Sequence, residues 1–210
     1  MELTQDKYEE IVFLTRCVYF DLPYPVSIFG YQQSHMLLSG LRMNLFALED
    51  YNLVIICGTN SLKDWISNFK VGLNITPRQH KQALERIIRF HKGEKPLVIA
   101  GHSLGGGIAE YCASFLDESV LCISFNGCGV KHLCYNNHLY TENNIINIVN
   151  KHDILNFLTN LVPGKNYMKH LSSPFIIHDN FSFNPIKSHC DFNSFMKFNW
   201  EDTKKKINKK

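Results

Sequence analysis

Neither sign of charge dominates this sequence: 22 lysines and arginines against 19 aspartates and glutamates leave a net charge of +3. So small an excess excludes nucleic acid as the main partner, since phosphate-backbone binding draws on a concentrated basic surface. No stretch approaches the roughly 20 apolar residues that a membrane-spanning helix requires. The first ten residues are acidic and lack the basic-then-apolar layout of a secretory signal. Cysteines number seven, at 17, 57, 112, 122, 128, 134 and 190, an odd count with no C-x-x-C pair. That argues against a disulfide framework and reads as reduced, mostly buried thiols in a cytoplasmic protein. Gly-Lys-Ser/Thr and G-x-G-x-x-G phosphate loops are missing as well. There is no internal repeat, no linker and no pattern calling for a metal or cofactor, and 210 residues fit one domain.

What is present centres on Gly101-His102-Ser103-Leu104-Gly105. Leu97-Val98-Ile99-Ala100 before it is a strand-like apolar run, and Ile108, Ala109, Cys112, Ala113 and Leu116 after it have helical spacing. Strand, tight turn and helix with a serine at the apex make a nucleophile elbow. The glycines let strand and helix approach closely, and the Leu104 N–H faces any negative charge that develops at the serine. The plain alternative is a glycine-rich turn that only packs or binds phosphate.

Other segments place this elbow in a larger pattern. Residues 4–17 read as a helix within an N-terminal helical segment of about 1–30. Two strands or short segments follow around 36–48, then a buried strand at 51–57. Thr76-Pro77 opens a helix running to about His91, threonine capping and proline at the first position. Strands are expected at 120–125, 145–149 and 174–178, a closing helix at 192–198 and a basic tail at 201–210. The tail reads as a frayed, solvated end, with weak attraction to anionic lipid as the alternative. Strands alternating with helices imply a single α/β domain over 1–210, its sheet mostly parallel.

A serine hydroxyl needs a histidine to take its proton and a carboxylate to orient that histidine, here expected later in the chain. Asp153 follows the strand 145–149 directly, whereas Asp179 comes after the presumed last strand. Among ten histidines, His189 lies between the last strand and the closing helix, where the base belongs. His170 and His178 are the competing loop positions, and His102 should pack under the elbow. The second oxyanion donor, beside Leu104, is expected from Thr59 in the turn after the strand 51–57. Leu62, Trp65, Ile66 and Phe69 beyond it have helical spacing, and serve either as core or as a cover touching an acyl chain.

Three separated blocks resemble one family. Gly58-Thr59-Asn60-Ser61-Leu62-Lys63-Asp64-Trp65 is similar to its R-G-T-x-S-x-x-D-W block. Residues 101–106 match its G-H-S-L-G-G elbow, and Asn147 to Asp153 resembles its valine–asparagine–aspartate segment. The family is the fungal-type, or class 3, lipases with their bacterial and viral relatives in the α/β-hydrolase superfamily, and the resemblance implies a single α/β-hydrolase domain. The resemblance covers about 50–195. It implies Ser103 as nucleophile, Asp153 and His189 as its partners, Thr59 and Leu104 as the oxyanion hole, and hydrolysis of lipid esters. The implied partner is a lipid or other ester substrate; weak contact with a membrane surface is the alternative reading of the basic tail. Cys57 stands where the family has arginine, and only about 35 residues separate Trp65 from the elbow, which leaves little chain for a large lid. A lipase-fold binding module without catalysis, and an acyltransferase using the same residues, are the alternative readings.

Overall fold

In the computed structural model, which describes residues 3–24, 31–36, 42–58, 77–117, 119–134, 144–155, 169–177 and 184–207, seven strands form one sheet in sequence order. They are β1 (Tyr31–Met36), β2 (Arg42–Ala47), β3 (Asn52–Ile56), β4 (Leu97–His102), β5 (Leu121–Phe125), β6 (Ile145–Asn150) and β7 (Phe175–Ile177). The pairings from β1 to β3 are antiparallel and those from β3 to β7 parallel. Register aligns Ile56 with Gly101, His102 with Phe125, and Phe125 with Ile148. The carboxyl ends of β3 to β6 therefore finish along one edge, where sites in parallel sheets are built.

The central strands are apolar on both faces because helices cover both. Leu53, Ile55, Val98, Ala100, Ile123, Phe125, Ile146 and Ile148 share one core with α1 (Gln5–Phe20), α5 (Phe192–Met196) and α6 (Trp200–Ile207). Their alternates Val54, Ile56, Leu97, Ile99, Cys122 and Ile145 pack against α2 (Pro77–Phe90) and α3 (Leu104–Ser114). Period-two alternation in the strands thus sorts the chain into helix, sheet and helix layers. Tyr8 ties the first layer together: its ring stacks on Trp200 at 5.3 Å, and its hydroxyl donates to the Phe195 carbonyl at 2.9 Å.

Several boundaries differ from the sequence reading. The first helix reaches Phe20, capped by Thr4, whose side chain accepts from the Lys7 N–H, and closed by Asp21 in the left-handed region at φ 57°. The strands expected at 36–48 occupy 31–36 and 42–47. The closing helix is found at Phe192–Met196, and part of the expected frayed tail is helical instead: α6 runs from Trp200 to Ile207. Its start is fixed by Asn199, whose side-chain oxygen accepts from the Asp202 N–H at 3.0 Å. A short helix not foreseen, α4 (Pro185–His189), carries the expected base.

Candidate active site

Ser103 joins β4 to α3 with φ 59° and ψ −128°. A side chain at positive φ costs on the order of 1–3 kcal/mol and persists only where its surroundings enforce it. Here the Ser103 N–H donates to the Phe125 carbonyl at 3.0 Å. Its own carbonyl accepts from Gly106, Gly107 and Cys128 at 3.0, 3.3 and 3.2 Å. Close approach does the rest: a Cβ on Gly105 would meet the Ile56 carbonyl oxygen at 2.1 Å, and one on Gly101 the Gly105 oxygen at 2.3 Å. Only glycines allow α3 to start this near the strands.

Gly58, two residues past β3, sits close to the elbow. A Cβ there would stand 3.0 Å from the Ser103 Cβ and 3.4 Å from the Leu104 nitrogen. Gly58 itself therefore lies against the serine and the first amide of α3. Thr59, Leu62, Trp65 and Ile66 lie outside the described residues. Cys57, in the family's arginine position, is buried, and burial pushes its thiol up to about 12, so it is neutral. A charge pair nevertheless forms beside it: Arg42, whose carbonyl accepts from the Cys57 N–H, binds Asp21 at the end of α1.

Asp153 lies three residues past β6, and His189 ends α4. The structure brings them together: His189 Nδ1 donates to Asp153 Oδ2 at 2.5 Å, with both side chains buried. Held this way, the imidazole has its orientation and its Nδ1–H tautomer set by the carboxylate. His102, next to Ser103, packs its ring 4.7 Å from that of His189 and within 5 Å of Tyr19 and Phe192. Burial, with the nearby His189 charge, holds His102 well below the usual histidine range, although its hydrogen bond to the His189 backbone opposes this. It is therefore neutral, and its Nε2–H donates to the His189 carbonyl at 2.8 Å.

Sequence reasoning missed two asparagines. Asn126, at φ 44° directly after β5, donates through Nδ2 to the His189 carbonyl at 2.9 Å and accepts from the Asn150 N–H at 2.8 Å. Asn150 ends β6 and donates through Nδ2 to the Ser188 carbonyl at 2.8 Å. The available signal was Asn126-Gly127 immediately after an apolar run, a pair that favours left-handed backbone.

The rival His170 goes elsewhere. Its Nδ1 meets Glu110 Oε1 on α3 at 2.7 Å, and Glu110 Oε2 accepts from the Leu171 N–H at 3.1 Å. Burial by itself would lower His170, but the Glu110 charge and hydrogen bond, with Asp153 further off, outweigh it and raise it. His178 lies outside the described residues. Among the described residues no cluster of three histidine, cysteine, aspartate or glutamate side chains could hold a metal ion.

A strand–serine–helix elbow, with a buried histidine–aspartate pair supplied from beyond later parallel strands, defines a site of α/β-hydrolase type. The family model described as the Tle-like phospholipase domain matches residues 31–145, more than half of the sequence, and the chain belongs to that family. The matched segment holds Ser103 and ends before Asp153 and His189. Extracellular phospholipase A1 of Serratia liquefaciens is 32% identical over 100 residues, which are 47% of this chain and 30% of that protein. The match thus spans under a third of its relative's length. Among solved structures, the Francisella virulence factor BioJ has a TM-score of 0.44 at 12% identity, with 100% of this chain and 94% of that one covered. An esterase/lipase from an uncultured bacterium has a TM-score of 0.40 at 10% identity, covering 94% and 92%.

Proposed function

We propose that the chain is a serine hydrolase that cleaves carboxylic esters of phospholipids through an acyl-enzyme. Ser103 Oγ attacks the acyl carbonyl while His189 Nε2 takes its proton, and Asp153 holds the imidazole and offsets its charge. The Leu104 and Thr59 N–H groups receive the oxyanion. His189 then protonates the departing lysolipid alcohol. In the second half, water gives a proton to His189 and its oxygen to the acyl carbon, freeing the fatty acid and Ser103. The observation that carries this reading is the 2.5 Å His189–Asp153 bond at the strand edge where Ser103 is held at φ 59°.

Membership of a phospholipase-like domain family supports phospholipid as the substrate class. The narrower likeness to fungal-type lipases rests on the three motif blocks, and transient contact with a membrane surface follows from the substrate. We read the whole chain as one domain because every described strand joins a single sheet. No helix among the described residues is long and apolar enough to cross a membrane. A cytoplasmic, reducing location is supported by seven free cysteines. Incubation with mixed phospholipid vesicles should release fatty acid and lysolipid, detected by mass spectrometry, and a fluorophosphonate probe should label the protein. Both should vanish in Ser103→Ala; labelling that persists there would refute the serine assignment.

A further inference from the structure

Three buried side chains, each at the carboxyl end of a successive parallel strand, converge on two adjacent carbonyls. His102 from β4 and Asn126 from β5 both donate to the His189 carbonyl, at 2.8 and 2.9 Å. Asn150 from β6 donates to the Ser188 carbonyl at 2.8 Å. All three are fully buried. We infer that Asn126, His102 and Asn150 are positioning residues that fix the backbone of His189 so that its ring is held against Asp153 in the orientation that proton transfer from Ser103 needs. This inference rests on the ester-hydrolase reading of those three residues and deepens it.

Three features separate this arrangement from ordinary satisfaction of buried carbonyls. First, the last carbonyls of a helix lack partners within it, but one donor each would suffice. The His189 carbonyl takes two, both side chains. Second, the donors are chemically joined to the other parts of the site: His102 precedes Ser103 in the chain, and Asn150 lies three residues before Asp153. Third, Asn126 bridges them. Its Oδ1 accepts from the Asn150 N–H at 2.8 Å while its Nδ2 holds His189, so one amide locks the strand of the acid to the backbone of the base.

The need is physical. His189 ends a helix of only five residues, too short to hold itself in place. A displacement of about 1 Å at a reacting group can cost on the order of 100-fold in rate. The donor role requires a proton on Nε2 of His102, and in the neutral ring the facing carbonyl selects that tautomer. Burial keeps the ring neutral.

The test uses the full chain. Asn126→Asp keeps shape and tolerance of left-handed backbone but replaces the donor with an acceptor facing a carbonyl. His102→Leu removes the other donor, and His102→Gln returns an amide N–H near the place of Nε2. The first readout is the strongly deshielded proton NMR signal of the His189 Nδ1–H in its short bond, identified by its loss in His189→Gln. The second is hydrolysis of the soluble ester p-nitrophenyl butyrate, per folded molecule. Asn126→Asp and His102→Leu should broaden or remove the signal and lower kcat roughly 100-fold, with KM within about three-fold. His102→Gln should recover at least about ten-fold of what His102→Leu loses. If Asn126→Asp fails to fold, Asn150→Asp, which removes only the donor to Ser188, carries the same expectation. An unchanged signal in the folded variants would overturn the inference, as would wild-type kcat in all of them. A wild-type protein without turnover or fluorophosphonate labelling would refute the hydrolase reading instead, and the imidazole signal would still decide the positioning role.

Discussion

Among the described residues two histidine–carboxylate pairs share the same kind of bond, but His189 is fully buried and His170 only half-buried. His189 meets Asp153 through Nδ1 at 2.5 Å, and His170 meets Glu110 through Nδ1 at 2.7 Å. In both, the carboxylate is buried. The difference lies in what surrounds them. His189 ends a helix at the carboxyl edge of the sheet, its ring against that of His102, the residue before Ser103. His170 faces α3, and the Glu110 carboxylate also takes the Leu171 N–H, as a clamp on the backbone would. A histidine–carboxylate pair is therefore not a site by itself; in the proposed mechanism the position of Ser103 decides which pair can do chemistry.

The widest separation should come from removing each imidazole. His189→Ala should lower kcat roughly a million-fold, as loss of the base does in serine hydrolases. His170→Ala should stay within about three-fold per folded molecule, since His170 belongs to a structural clamp. Ester turnover normalised to folded protein measures both. Comparable losses in the two variants would erase the distinction.

On the carboxylates the expected effects differ in kind. Asp153→Asn should cost about 10⁴-fold in kcat by removing the charge that orients and stabilises the imidazolium. Glu110→Gln should leave kcat near normal but destabilise the fold by roughly 3 kcal/mol, the order seen when a buried pair loses one member. Denaturant unfolding alongside kinetics would show whether rate and stability part company in this way.

Acidity gives a smaller but directional contrast. Glu110 raises the pKa of His170 above its unfolded value of about 6.5, so the pair's stabilisation is complete below that pH. It is lost as pH rises through the raised folded value. The thermal midpoint of wild type minus that of His170→Gln should therefore be largest in mild acid and shrink towards alkaline pH. A difference that grew with pH would have the wrong sign.

The weakest effect should come from the exposed pair. Asp21→Asn keeps a residue suited to left-handed backbone and removes the partner of Arg42. With Asp21 79% exposed, the loss should stay under about 1 kcal/mol in a urea titration.

Much of this architecture was legible in the sequence. The runs at 51–57, 97–100, 120–125 and 145–149 are apolar on both parities, which only a strand covered on both faces needs. The elbow announced itself through its glycines, and Asp153 and His189 through chain order. What escaped was set by partners distant in sequence. Tyr31–Met36 is a polar strand whose identity comes from pairing with β2, not from its own pattern. The helix at Trp200–Ile207 hid behind lysines, although Asn199-Trp200-Glu201-Asp202 is a capped start. The asparagines at 126 and 150 look like ordinary strand ends until the base arrives from some 40 residues or more away.

Burial of the cysteines has a practical consequence. Six of the seven thiols are buried and the seventh is half-buried, and every one is held above its ordinary pKa. Since the thiolate is the reactive form, the folded chain is nearly silent towards thiol reagents. Unfolding uncovers the sulfurs, so their rate of reaction with a chromogenic thiol reagent is a clock for how often the fold opens.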